Sequence, residues 1–183
     1  MTLADLEPLD YLVFIGTYRT PSPPNLVFEK LRNALSDVGF FPELDAEGRT
    51  TGFLGGRGEC KKVEMENYAY PLKHGEAIDI VYVSRRQFGP SNDYCSFFIR
   101  LYVTISHLAS PHGICRHFVE TKLRAAWTEQ PWWTEAFELF KNAVVELHKT
   151  FDCVHTIVSW HPDDNDLEGV SKTEFEIGTR PSS

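Results

Sequence analysis

The chain is short of basic residues: Lys and Arg number 18 against 26 Asp and Glu, giving a formal net charge of −8. A nucleic-acid binder neutralises phosphates with a basic face, so direct nucleic-acid binding is not expected, and a basic protein is the better-matched partner. Long apolar runs are missing too. None approaches the roughly 18 residues needed to span a bilayer. The opening MTLADLEPLDYLVFIG has neither a basic start nor a small-residue cleavage site, so a soluble cytoplasmic protein with no membrane partner is expected. Cysteine is sparse: Cys60, Cys95, Cys115 and Cys153 stand far apart with no C-x-x-C pair, which argues against a disulfide lattice and a zinc ribbon. Each lies in or beside a strand-like run and is expected to be a buried free thiol in a reducing compartment.

Recognisable chemistry is equally thin. The chain has no G-x-S-x-G elbow, H-E-x-x-H helix or deaminase-type H-x-E…C-x-x-C pattern, and Ser106 and His107 are chain neighbours whose side chains diverge. Gly52 to Glu59 (GFLGGRGE) lacks the Gly-Lys-Ser/Thr ending of a phosphate loop and reads as a flexible turn. His107, His112, Cys115 and His117 gather four potential ligands, yet on a strand only Cys115 and His117 share a face, so no metal is expected. The run Asp164-x-Asp166-x-Glu168-Gly169 resembles the start of a calcium loop, but Phe175 stands where the bidentate Glu belongs. Asp79 interrupts an apolar strand, and a solvent-facing carboxylate, or one paired with Arg100 or Lys62, is the expected reading. No cofactor and no catalytic residue are predicted.

What the chain does have is periodicity. Tyr11 to Gly16 is a nearly continuous apolar run, expected as a central strand buried on both faces. Val27, Leu31, Ala34, Leu35 and Val38 follow prolines at helical spacing and precede Gly39, which predicts the first helix. Residues 40–58 read as an irregular connection with one short strand, and Cys60 to Glu66 as an exposed edge strand. Ala77 to Arg86 and Cys95 to Ser106 are expected to form an antiparallel hairpin, and residues 114–123 a further strand. Pro131 is placed at N1 of a second helix whose stripe is Trp133, Ala136, Phe137, Phe140, Ala143, Val144 and Leu147. Trp132 lies beside that stripe and is expected to flank the core, with an exposed binding patch as the alternative. Cys153 to Trp160 is the last predicted strand. Residues 161–183, with six acids against two bases, are expected to form a partly irregular acidic tail. The order describes a single α+β domain over 1–183, a mainly antiparallel sheet with two helices packed on it.

Three segments in order, YLVFIGTYRTPSPPNLVFEKLRNAL, AIDIVYVSRRQFGPSNDYCSFFIRLYVTI and FELFKNAVVELHKTFDCVHTIVSW, resemble the opening, central hairpin and close of the immunity-protein-52 family. These are antidotes to polymorphic toxins delivered by contact-dependent or type VI secretion. The resemblance implies a non-enzymatic antitoxin that neutralises a cognate secreted toxin, of nuclease type, by stoichiometric protein–protein interaction. A small enzyme with a dispersed site, a regulatory binding domain and a homodimer all stay open. A toxin surface built for DNA is basic, so acids are the expected contacts: Asp163, Asp164, Asp166 and Glu168 beside Trp160, and Glu43, Asp45 and Glu47 in the long connection.

Overall fold

The computed structural model describes residues 11–18, 23–56, 59–73, 75–88, 98–106, 115–161 and 172–179. The apolar opening run becomes β1 (Tyr11–Tyr18). Helix α1 (Pro24–Asp37) follows with Pro24 in its first turn, where a missing N–H costs nothing, and ends at Val38 and Gly39, the latter at φ +91°. Next come β2 (Phe40–Pro42), β3 (Thr51–Gly56) and β4 (Glu59–Glu64), then one turn of 3-10 helix, Met65–Asn67. The long strands are β5 (Ala77–Gln87), β6 (Phe98–Ser106) and β7 (Cys115–Arg124). A second 3-10 turn, Ala125–Trp127, leads to α2 (Trp133–Thr150), β8 (His155–His161) and β9 (Lys172–Gly178).

The strands make one nine-stranded sheet in the order β4-β3-β5-β6-β7-β1-β8-β9, with β2 also paired to β5, and every pairing is antiparallel. The chain is thus an α+β protein with two helices on a mostly antiparallel sheet. β1 is interior, between β7 and β8, as its apolar run predicts. β5 and β6 are neighbours in register Ile78↔Ile105 through Val83↔Arg100. Burial alternates along β5: Ile78, Ile80 and Tyr82 are fully buried, while Asp79 is exposed and Val81 and Val83 are half-buried. The buried set joins Val27, Phe28, Leu31 and Leu35 of α1 with Ala136, Phe140, Ala143, Val144 and Leu147 of α2 in one core. No helix of the described residues is long and apolar enough to cross a membrane.

Several expectations need correction. Residues 40–58 hold two strands, β2 and β3, and Gly52–Gly56 of the Gly-rich stretch lie in β3. Gly52 is there because a Cβ would stand 2.6 Å from Ile78 Cγ2 and Met65 Sδ, so the strand packs on the core only without a side chain. Pro131 precedes the helix instead of opening it. The backbone first makes two tight turns, Gln130 N–H to Trp127 C=O at 2.9 Å and Trp133 N–H to Gln130 C=O at 3.0 Å, so Trp132 becomes the N-cap. Cys153 is buried but Cys60 is exposed, because an edge strand offers it no cover. Residues 172–178 are a strand, since Phe175 and Ile177 alternate with acids and pair with β8. Phe137 of the α2 stripe is half-buried, on its margin. Cys95 and the loop after Phe88 fall outside the described residues.

Candidate functional site

The first acidic segment is a turn that consumes its own charge. Leu44 and Thr50 bridge, and between them Gly48 N–H donates to Asp45 C=O at 3.0 Å. Asp45 Oδ1 accepts the backbone N–H groups of Glu47 and Arg49 at 3.0 and 2.9 Å, while Oδ2 faces Arg49 at 3.3 Å and Lys62 at 3.7 Å. The side chain is only 7% exposed. The Arg49 and Glu47 amides, with the Arg49 and Lys62 charges, outweigh partial desolvation and hold its carboxyl below the ordinary carboxylate range. Asp45 therefore pins the loop and offers a partner little. Glu47 is exposed and paired with Arg49 at 3.0 Å, and Glu43 is exposed beyond the end of β2.

The second segment, Asp163, Asp164, Asp166 and Glu168, lies outside the described residues, as do His107 and His112. Trp160 is not a surface anchor: it is 1% exposed, stacked on Trp133 at 6.0 Å, with its indole N–H donating to Glu174 at 3.0 Å. Strand alternation turns it toward α2, together with Val158. Asp79 is exposed, as expected. Among the described residues no three His, Cys, Asp or Glu side chains converge as metal ligands.

A different cluster draws together what the acids do not. Trp127, Trp132, Trp133 and Phe137 are all half-buried around the start of α2. Trp127 and Trp132 meet edge to face at 5.6 Å, Trp132 leans on Phe88 at 6.3 Å, and Trp133 stacks on Phe137 at 5.8 Å. Phe137 in turn meets Phe175 of β9 at 6.4 Å. The contacts make two ring groups, Phe88 with Trp127 and Trp132, and Trp133 with Phe137, Phe175 and the buried Trp160, which follow each other along the chain at Trp132–Trp133. Together they form a ledge packed on the core and partly open to solvent. Arg86 lies 5.3 Å from the Phe88 ring centre and pairs with Glu135, clamping the end of β5 to α2. It is aimed there by an irregularity in the β5–β6 pairing, where the Ser84 hydroxyl takes the Arg86 N–H at 3.0 Å. Glu129, Glu135 and Glu138 are exposed near these rings, Glu135 paired with Arg86 and Glu138 with Lys141 at 3.6 Å.

Trp132 flanks the core, as its position beside the stripe predicts, and Trp133, the first residue of the stripe, packs on the core while staying half-buried; Trp127 lies ahead of the helix, where helical spacing gives no signal. The available signal was density: three of the four tryptophans fall within AAWTEQPWW. No protein-family model, no curated protein and no solved structure matches the chain.

Proposed function

We propose that the chain is a stoichiometric inhibitor of the immunity-protein type, which holds a cognate secreted toxin of nuclease class through the aromatic ledge at the start of α2. The observation that carries this reading is the ledge. Two pairs of half-buried rings, Trp127 with Trp132 and Trp133 with Phe137, meet along the chain at the start of α2 and pack on the buried aromatics Phe88 and Trp160, with exposed carboxylates nearby. Rigid aromatics at the centre and charge at the rim are the composition of an interface hot spot, because two-torsion side chains lose little freedom when covered. An acidic rim suits the positive surface that a nuclease turns toward DNA. The formal net charge of −8 favours encounter with such a surface, steering association more than holding it. The three-segment resemblance supports the same class, and the protein acts by binding, with no chemistry of its own.

The test is co-expression with the toxin domain encoded beside the gene. Protection of growth and a one-to-one complex are expected, and a chain that neither protects nor binds that domain overturns the function. Replacing Trp127 and Trp132 together by Ala should weaken binding by about thirtyfold or more, the size of a hot-spot loss. Wild-type affinity in that folded double variant would move the contact away from the ledge.

A further inference from the structure

We infer that the face of the sheet turned away from the helices joins two copies of this chain, through a contact centred on Phe53 and closed on either side by Lys62 of each copy and Asp79 of the other. The inference is independent of the toxin reading: the ledge belongs to the helix side, so both ledges stay open in such a pair.

Burial shows which side of the sheet the helices take. Ile78, Ile80 and Tyr82 of β5 are fully buried in one core with α1 and α2, and a Cβ on Gly52 of β3 would strike Ile78 and Met65 on that side. Strand alternation turns the intervening residues the other way. There Asp79 is exposed and Ala77, Val81 and Val83 are half-buried, while on β3 and β4 Phe53 is 45% exposed with Cys60 and Lys62 open beside it. A Cβ on Gly55 would meet nothing within 4 Å, so among the described residues nothing lies over this end of the face. Two rings stand on this side. Phe41, opposite Val83, is covered by Arg85, whose guanidinium lies 3.7 Å from the ring centre. Among the described residues no ring and no cation stacks on Phe53. An uncovered aromatic on a sheet face is apolar surface that a second protein surface removes from water.

The register decides which surface fits. Lys62, Phe53 and Asp79 stand directly opposite one another on β4, β3 and β5, a row of cation, ring and anion. Such a row is complementary to itself. When two copies pack this face together about a two-fold axis that runs along the strands between the two Phe53 rings, each Lys62 comes over the other copy's Asp79. An axis across the strands would set Lys62 over Lys62 and Asp79 over Asp79, so charge selects the first arrangement. Sheets packed face to face stand about 10 Å apart with their strands nearly aligned, a gap that two phenylalanine side chains fill. The next row, Cys60, Gly55 and Ala77, is small at all three positions, so nothing bulky holds the two sheets apart there. Lys62 is also loosely held within its own chain. Its Nζ is 3.7 Å from Asp45 Oδ2, and Arg49 reaches the same oxygen at 3.3 Å, so Asp45 keeps a cation when Lys62 turns to the second copy.

The experiment is sedimentation velocity of the full chain over a concentration series, with the thermal midpoint of each variant measured alongside. A dimer that dissociates on dilution is expected. Phe53→Ala should weaken it about tenfold or more, the loss of a central anchor. Lys62→Glu and Asp79→Lys should each weaken it by a similar factor, because each sets like charges over one another. Mixing those two single variants should restore association as a one-to-one heterodimer, since every carboxylate in the mixed pair then meets an ammonium group. All three positions are exposed, so wild-type thermal midpoints in dilute samples will separate lost association from lost folding. A chain that stays monomeric at millimolar concentration, a dimer indifferent to Phe53→Ala, or two charge variants that do not associate with each other overturns the assignment.

Discussion

Cys60 and Cys153 carry the same thiol into opposite surroundings. Cys60 stands exposed on the edge strand β4, whereas Cys153 is 7% exposed, behind the end of α2. Burial pushes the Cys153 thiol up to about 11, against a smaller downward pull from its Thr156 hydrogen bond. At pH 8 iodoacetamide should modify Cys60 in the native protein and reach Cys153 only in denaturant. Peptide mapping that finds the two modified at equal rates would contradict this. Asp45 shows the same contrast for a carboxylate. The stretch Asp45-Ala-Glu-Gly-Arg has Asp at the first and Gly at the fourth position of a tight turn, a signal that was legible but outweighed by its acidity. Asp45→Ala should speed exchange of the Glu47 and Arg49 amides several-fold, a change of the order of one lost hydrogen bond. Asp45→Asn, which keeps the acceptor and removes the charge, should do less. Because its folded pKa is depressed, the pinning is complete above about pH 4 and is lost as pH falls through the lower, folded value.

Among the elements, legibility followed the length and purity of the pattern. α2 and β1 were readable because their apolar positions obey one period without interruption. β3 was not, since Gly52, Gly55 and Gly56 erase the alternation, and the need for Gly52 arises from Ile78 and Met65, a contact that exists only after folding. β9 was hidden by charge, its Glu174 and Glu176 reading as tail acids although one meets Trp160 and the other His155. Phe140, fully buried at the middle of α2, should cost about 3–5 kcal/mol when cut to Ala, measured by denaturant or thermal unfolding. An unchanged midpoint would mean that the helix presents another face. His148 governs the junction of α2 with β8, its Nδ1 2.9 Å from Thr156 Oγ1. Burial lowers its pKa, aided by His155 and opposed by Asp152. A histidine held neutral in the fold stabilises it fully above the unfolded pKa near 6.5 and progressively less as pH falls through the lower folded value. The thermal midpoint should therefore drop between pH 7 and 5.5, and His148→Gln should flatten that drop.

At the scale of the molecule, the class of fold was legible and the candidate contact site was not. Acids were expected to mark the contact because charge is visible in a sequence, whereas the ledge is assembled from Phe88, Trp127, Trp132, Trp133, Phe137 and Phe175, which only the fold makes neighbours. The position of β1 has a consequence for synthesis. β1 is clasped by β7 and β8, so it leaves the ribosome about a hundred residues or more before the strands that pair with it. Until His161 has emerged, β1 lacks one neighbour and α2 has no Trp160 beneath it. Folding of such distant pairings is slow and leaves apolar strands open to other chains. Nascent chains stalled with only the first 150 residues outside the tunnel should be cut freely by protease, and protection should arrive abruptly once β8 is clear. The early strand then needs a holdase for most of its time on the ribosome, and removing trigger-type chaperones should lower the soluble yield before it alters the finished protein.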